Sequence, residues 1–168
     1  GLCEHCIPQI SGVPQQFHCT DLLKETWTLS SYEGPMGALI RRGKYRPDRQ
    51  LFERLGKRMA HAVWDLPRFD AIVHVPVPAY RKIKRGFDQA EVLANQIHRY
   101  LNVPHHKVMR RVKGKEQAGR SHRRRKEKIL GRFVCLGKIQ LPPTILLVDD
   151  VVTTGKTMEG CAAAVSYT

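Results

Sequence analysis

The most informative stretch of this chain is ILLVDDVVTTGKT, Ile145–Thr157. The run Thr144–Val148 (TILLV) is almost continuously apolar, which is typical of a central parallel strand that is covered on both faces. Asp149 and Asp150 follow at once, and the small, hydroxyl-rich loop Thr153–Thr157 leads into a helix. Ligands of open α/β sheets bind at the carboxyl ends of strands. The stretch therefore predicts a strand, a ligand-binding loop and a helix start.

Two different binding chemistries follow one another in this stretch. In the loop Thr153–Thr157, consecutive backbone N–H groups can converge on one anion with help from the helix dipole, and Gly155 permits close backbone approach. The carboxylates of Asp149 and Asp150 suit paired sugar hydroxyls instead, so the combination indicates a phosphorylated ribose. The alternative is a strand–turn–helix junction in which an aspartate only caps the helix. A Walker A loop is excluded, because GxxxxGK[ST] is absent.

Strands and helices alternate along the rest of the chain. Apolar residues recur at steps of three and four in Leu51–Val63 and again in Phe87–Leu101, which predicts two amphipathic helices. Ala71–Pro78 (AIVHVPVP) is a β-branched run that ends in prolines, which predicts a strand feeding a loop. With a further strand at Arg132–Leu136, this pattern predicts an α/β fold with a mainly parallel sheet.

Length and composition fit one globular domain. The chain has 168 residues, of which 42% are hydrophobic and 26% charged, so it can bury a single core and is too apolar for disorder. Residues 1–31 lack periodicity and predict a small appendage, followed by one domain over 32–168. No apolar stretch approaches the roughly 20 residues needed to span a bilayer, and GLCEHC at the N-terminus has no signal-peptide architecture. We therefore expect a cytoplasmic protein without a membrane span.

The net charge of +14, from 29 Lys+Arg against 15 Asp+Glu, favours an anionic partner. The charge is concentrated in Arg110–Lys128, which holds ten basic residues against Glu116 and Glu127. This basic tract could bind nucleic acid, but it contains no aromatic residue on which bases could stack, which disfavours specific binding of single strands. A hood that closes over a polyphosphate explains the charge equally well.

A second basic segment lies within VPVPAYRKIKRGFDQA, Val75–Ala90. The segment predicts a loop that leaves a strand, enters a helix and carries four cations, namely Arg81, Lys82, Lys84 and Arg85. A cationic loop of this kind suits a pyrophosphate. The alternative is a solvated basic loop without a ligand.

These segments resemble two known family signatures. Ile145–Thr157 resembles the signature of type I phosphoribosyltransferases at all thirteen positions. VPVP, an arginine, RGF and QA within Val75–Ala90 follow the order found in the ComF family of phosphoribosyltransferase-like proteins, which the chain also resembles at Tyr32–Pro35 (YEGP) and Lys44–Tyr45. The Q…R…F pattern of that family is matched by Gln117, Arg125 and Phe133.

The resemblance implies a Rossmann-like, mainly parallel sheet of the type I phosphoribosyltransferase fold with a basic hood, and it implies phosphoribosyl pyrophosphate with Mg²⁺ as the ligand. Asp149 and Asp150 then hold the ribose hydroxyls as the catalytic pair. The pyrophosphate faces Arg81, Lys82, Lys84 and Arg85. The other ligand-binding residues, around the 5′-phosphate, are Val151, Thr153, Thr154, Gly155, Lys156 and Thr157. Relatives normally continue through a helix and one more strand, so a domain shortened at its C-terminus is also implied.

Two functions are compatible with this interpretation. The first is an enzyme that transfers 5-phosphoribose from phosphoribosyl pyrophosphate to an unidentified acceptor and releases pyrophosphate. The second is a non-catalytic accessory protein of competence and DNA uptake, which binds phosphoribosyl pyrophosphate or single-stranded DNA and has a partner in the competence machinery. The missing signature of an acceptor site favours the second function, whereas the intact loop after Asp149 and Asp150 favours retained ligand binding.

The five cysteines allow one metal site. Cys3 and Cys6 form a CxxC pair, and a structural zinc site needs two further ligands. Cys19 together with His18, or with His5, could supply them. The alternative is the remnant of a zinc ribbon with ordinary thiols.

Several other residues are expected to have structural roles. His74 lies inside a predicted strand and is expected to be a packed residue. The apolar surroundings of Cys135 and Cys161 predict small core residues. Three histidines are expected at the surface, namely His98, His105 and His106.

Overall fold

The computed structural model describes residues 14–66, 68–112, 132–137 and 140–166. This part of the chain contains five helices: α1 (Gly34–Tyr45), α2 (Arg49–Ala62), α3 (Ala79–Arg85), α4 (Gln89–Leu101) and α5 (Lys156–Ser166). Its strands are β1 (Gln15–Gln16), β2 (Trp27–Thr28), β3 (Ala71–His74), β4 (His105–His106), β5 (Met109–Arg111), β6 (Phe133–Cys135) and β7 (Ile145–Val148). None of the described helices is long and apolar enough to cross a membrane.

A parallel three-stranded sheet lies at the centre, with the order β4-β3-β7. β3 pairs with β7 from Ala71 opposite Ile145 to His74 opposite Val148. This sheet confirms the mixed α/β class. The prediction that 144–148 forms the central strand is wrong for the described residues, because β3 is fully buried in the middle whereas β7 lies at an edge and only its last residue is buried.

Both faces of the sheet are covered. On one face, Ile72 packs with residues of α1, α2 and α4, including Phe52 and Leu93. On the other face, Val73 packs with Phe133 of β6 and with residues of α5. Successive strand residues point to opposite faces, so the apolar run of β3 contributes to both clusters.

α2 and α4 confirm the two predicted amphipathic helices. Their N-termini are capped by Asp48, which accepts a hydrogen bond from the Leu51 N–H, and by Asp88, which accepts one from the Glu91 N–H. The two helices pack closely, since a Cβ added at Gly56 would lie 2.8 Å from the Cβ of Gln96. The apolar stripes therefore lie between the helices and the sheet.

The cations at 81–85 do not lie in a loop as predicted, because Ala79–Arg85 forms the helix α3. Alanine, arginine and lysine all favour helix, and the segment contains no helix breaker before Gly86. Gly86 then ends the helix with a positive φ of 77°. These helix propensities explain why the segment forms a helix and not the predicted loop.

The two remaining ribbons are antiparallel. β1 pairs with β2, so the appendage predicted over 1–31 is a short hairpin in its described part. β5 pairs with β6, and Arg110 and Arg111 of the basic tract lie on β5. Residues 113–128 of that tract, with Gln117 and Arg125, lie outside the described residues.

Candidate functional site

Two of the predicted ligand-binding segments leave the sheet side by side. In the register of the two parallel strands, His74 lies opposite Val148, and the Val75 N–H donates to the Val148 carbonyl at 2.9 Å. The segment that begins at Val75 and the segment that begins at Asp149 therefore start at the same carboxyl edge. This is the edge at which α/β sheets bind ligands.

Asp149 and Asp150 are held by close polar contacts. The Asp149 carboxylate accepts the backbone N–H of Asp150 at 2.7 Å. The Asp150 carboxylate lies 2.7 Å from the ammonium of Lys44, and the two side chains are only 13% and 21% exposed. Lys44 is in the last turn of α1, so this ion pair joins α1 to the end of β7.

The environment favours a protonated Asp149. Burial and the neighbouring Asp150 charge raise the pKa of Asp149, while the Asp150 N–H and Lys44 oppose this rise. Two adjacent carboxyl groups at a strand end cannot both be ionised at low cost unless a cation neutralises one of them. In this structure that cation is Lys44, which the sequence indicated only as part of a family motif.

The N-terminal hairpin contributes one wall of the site. A pocket of about 110 Å³ adjoins Asp149 and Asp150. The segment 27–30 lines it together with Tyr32, and residues of α1 and α2 form its floor. No motif in 1–31 predicted this contribution, although Tyr32 belongs to the YEGP match. The guanidinium of Arg41 lies 5.4 Å from the centre of the Tyr32 ring and so supports this wall.

The predicted phosphate loop has the expected helix behind it, one residue earlier than predicted. Thr153 and Thr154 are exposed, and α5 begins at Lys156, so that Thr157 belongs to the helix. Gly155 has a φ of +71°, and a Cβ there would lie 2.4 Å from the Sγ of Cys19. Close backbone approach at Gly155 is thus made by Cys19 of the N-terminal segment.

Three of the four cations on α3 have partners among the described residues. The Arg81 side chain lies over the Tyr80 ring and donates to its hydroxyl at 3.1 Å. Lys82 pairs with Glu91 at 2.9 Å, and Arg85 donates to the Gln89 side chain at 3.0 Å. Arg81, Lys82 and Lys84 are all exposed.

Arg111 on β5 is a further cation of this region that the sequence did not single out. Burial lowers the pKa of Arg111, as do the nearby charges of Arg132 and Arg81, whereas Asp149 acts in the opposite direction. The guanidinium of Arg111 lies 5.3 Å from the centre of the Phe133 ring. Arg111 lies at the end of β5, and that position is visible only in the fold.

A group of potential metal ligands lies beside α3, where oxygen or nitrogen atoms of His74, Asp88 and Glu91 lie within 4.8 Å of one another. Asp88 already accepts the N–H groups of Val77 and Glu91. Burial opposes ionisation of Glu91, but hydrogen bonds from two lysines lower its pKa to about 2. The lysines are Lys107 and Lys82. Through these contacts the group joins α3 to α4.

The structure tests the expected positions of several histidines and of one cysteine. His74 is buried, as expected, and its ring lies 2.9 Å from a ring nitrogen of His105. The expectation that His98, His105 and His106 are surface residues is wrong, because all three are half-buried. His105 also contacts Asn95. Cys161 is buried in the core as predicted.

The predicted zinc ligands fall partly outside the described residues, since Cys3 and Cys6 lie there. His18 is exposed and lies 3.3 Å from Asp21. The Cys19 thiol faces the Gly155 backbone. Zinc binding by Cys3, Cys6, Cys19 and His18 therefore stays a prediction.

Comparison with known proteins finds relatives by sequence but no similar solved structure. No family model and no solved structure matches the chain. Competence protein F of Haemophilus influenzae is 31% identical over 185 residues, which covers 94% of this chain and 81% of that protein. Competence protein ComFC of Bacillus subtilis is 26% identical over 176 residues, or 70% of its length. DNA utilization protein YhgH of Escherichia coli is 29% identical over 142 residues, and the match spans 61% of that protein.

Proposed function

The chain belongs to the ComF family, and we propose that it is an accessory protein of DNA uptake and utilization that binds phosphoribosyl pyrophosphate with Mg²⁺. The choice of ligand rests on one observation, namely that two segments lie next to each other at one sheet edge. One is the acid pair with its loop after β7, and the other is the cationic segment after β3. The names of the relatives refer to competence and to DNA utilization, and they support the proposed role in DNA uptake and utilization.

Each part of this ligand has a matching part of the edge. The ribose hydroxyls donate to Asp149 and Asp150, and the 5′-phosphate accepts from the N–H groups that begin α5. The pyrophosphate lies towards the exposed cations of α3 and towards Arg111. The pocket beside Trp27 and Tyr32 then accommodates the less polar face of the sugar.

The donor set at this edge is compatible with Mg²⁺, which prefers carboxylate oxygens and keeps several of its waters. Asp149 and Asp150 are the residues that would hold the ion, and it would neutralise the charge of the pyrophosphate. Lys44 contacts Asp150 in the same place, so it supplies the positive charge that the acid pair needs before the ligand arrives.

Transfer of 5-phosphoribose is the second candidate, and the raised pKa of Asp149 favours it. Buried acids with raised pKa values occur often at functional sites. In this reaction the bond from C1 of the ribose to pyrophosphate breaks, pyrophosphate leaves with the electron pair, and a nitrogen of the acceptor base forms the new bond to C1 and releases its proton to water. Incubation with phosphoribosyl pyrophosphate and a panel of nucleobases tests it, and pyrophosphate release with any base would establish turnover.

Thermal unfolding tests the binding proposal. At one hundred times the dissociation constant, a ligand stabilises a protein by about 2.7 kcal/mol, which corresponds to a rise in Tm of roughly 5–10 °C for a chain of this size. We expect this shift with phosphoribosyl pyrophosphate and Mg²⁺ and its loss in Asp149→Asn/Asp150→Asn. Asp65→Asn, which removes an exposed acid elsewhere, should keep the shift. An unshifted Tm of the unmodified chain at millimolar ligand would overturn the proposal.

A further inference from the structure

The opposite edge of the sheet carries a cluster of exposed rings. Because α4 connects the parallel strands β3 and β4, it runs antiparallel to them and ends at the amino edge of the sheet. α2 runs in the same direction as α4, since Gly56 touches Leu93 and Gln96 while His61 contacts Tyr100 further along. The C-terminal ends of both helices therefore meet at the edge remote from Asp149.

Three rings stand together at this amino edge. Trp64, just after α2, is 68% exposed, and Tyr100, near the end of α4, is 45% exposed. The exposed His61 ring lies 5.6 Å from the Tyr100 ring. The three side chains line a surface recess of about 450 Å³, which has room for planar groups beside the rings. Single exposed aromatic residues are common, but rings grouped around one recess mark a binding surface.

The surface next to the rings is basic. On α2, Arg54, Lys57 and His61 are exposed at spacings of three and four, so they form one stripe that leads to Trp64. Arg99 is exposed directly before Tyr100. Asp65 is the one acid that lines the recess among the residues described. A purely apolar partner surface would not fit this stripe, whereas a polyanion would.

Rings beside a row of cations are the combination by which proteins bind single-stranded nucleic acid, since bases stack on the rings and phosphates follow the cations. We propose that His61, Trp64 and Tyr100, together with the stripe on α2, form a stacking surface for single-stranded DNA. The choice of DNA rests on the proposed role in DNA uptake. The surface itself rests on exposure, ring geometry and charge, and it supplies the aromatic residues that the basic tract at 110–128 lacks.

Equilibrium binding of a fluorescein-labelled oligo(dT) of about 20 nucleotides tests this surface. Loss of one stacked base weakens binding by roughly 1–3 kcal/mol, so we expect Trp64→Ala and Tyr100→Ala each to bind about tenfold more weakly. Their salt dependence should stay unchanged, whereas Arg54→Gln/Lys57→Gln should lower its slope by about 0.7 for each phosphate contact that is lost. Tyr80→Ala, a ring that is 58% exposed on α3 at the other edge, is the matched control and should bind normally.

Tryptophan fluorescence gives a second, direct readout, because the chain has two tryptophans. In Trp27→Phe the oligonucleotide should quench the emission of Trp64, and in Trp64→Phe the quenching should be lost. Normal binding by Trp64→Ala and Tyr100→Ala would overturn the proposal, as would weaker binding by Tyr80→Ala alone. Tighter binding of oligo(U) than of oligo(dT) would overturn the choice of DNA.

The two proposals fail separately. Trp64→Ala should keep the rise in Tm with phosphoribosyl pyrophosphate, which also shows that the variant is folded. Asp149→Asn/Asp150→Asn should keep oligonucleotide quenching. If the chain binds oligo(dT) through Trp64 but shows no rise in Tm with phosphoribosyl pyrophosphate, the proposed stacking surface stands and only the ligand proposal is overturned.

Discussion

The carboxyl and amino edges of one small sheet carry different kinds of chemistry. At the carboxyl edge, the acid pair is largely shielded and is neutralised within the chain by Lys44, which like Asp150 is less than a quarter exposed. At the amino edge, the rings of Trp64 and Tyr100 and the cations of α2 are exposed to solvent. Removing the partner of a shielded charge has a large cost in the free energy of unfolding. Replacing an exposed ring changes that free energy little. Changes to the pair of Lys44 and Asp150 should therefore alter stability as well as ligand binding, and changes to the exposed rings should alter binding alone.

Among changes to the two edges, Lys44→Met should have the largest effect on stability, a loss of about 3 kcal/mol at neutral pH. The substitution leaves the Asp150 charge buried without its cation, and breaking a buried pair from one side has a cost of this order. Urea unfolding at pH 7 measures the loss. Lys44→Met/Asp150→Asn should recover most of it, and Lys57→Met on exposed α2 should change stability by less than about 0.5 kcal/mol. Equal stabilities of Lys44→Met and Lys57→Met would remove the contrast between the two edges.

Gly155→Ala should cost about 2 kcal/mol, because Gly155 has both a positive φ and no room for a Cβ beside Cys19. Gly86→Ala is the matched control, since Gly86 has a similar φ of +77° and no atom within 4 Å of the added Cβ. We expect the control to cost about 1 kcal/mol. Denaturation midpoints of the two variants give the comparison, and a Gly155→Ala cost no greater than that of Gly86→Ala would argue against the Cys19 contact.

Asp149→Asn should change the pH dependence of stability. Burial raises the folded-state pKa of Asp149 above the ordinary value of 3.8, so the folded chain keeps a proton that the unfolded chain releases. The contribution of this group is fully present below pH 3.8 and is lost as the pH rises towards the folded-state pKa, by at most about 1.4 kcal/mol per pH unit. Asp149→Asn should therefore flatten the profile and be relatively more stable at neutral pH. Parallel urea titrations at several pH values test this, and superimposable profiles would contradict it.

Trp64→Ala should have the smallest effect on stability, within about 0.5 kcal/mol of the unmodified chain, because the side chain is 68% exposed. The measurement is the denaturant midpoint, with Phe52→Ala as a contrast, since burial of that ring predicts a loss of about 3–5 kcal/mol. A large loss in Trp64→Ala would mean that the ring packs against the chain, and it would weaken the case for a free stacking surface.

Periodicity predicted the helices well and the ligand segments partly. α2 and α4 follow the three–four spacing of their apolar residues, and β3 follows its β-branched run. The charge of Val75–Ala90 predicts a loop, whereas the helix propensity of Ala79–Arg85 accounts for α3. The position of β7 at an edge of the described sheet was also missed, since an apolar run shows that a strand packs but not how many neighbours it has.

The amino-acid sequence by itself determined the acid pair and the loop of Ile145–Thr157, because adjacent residues at a strand end must stay together in any fold. Only the tertiary structure brought Lys44 to Asp150, Cys19 to Gly155 and Tyr100 to His61. These partners are far apart in the chain, and no local pattern records them. Their contacts arise when the helices and the N-terminal hairpin pack on the sheet, since only burial of both faces fixes which distant side chains meet.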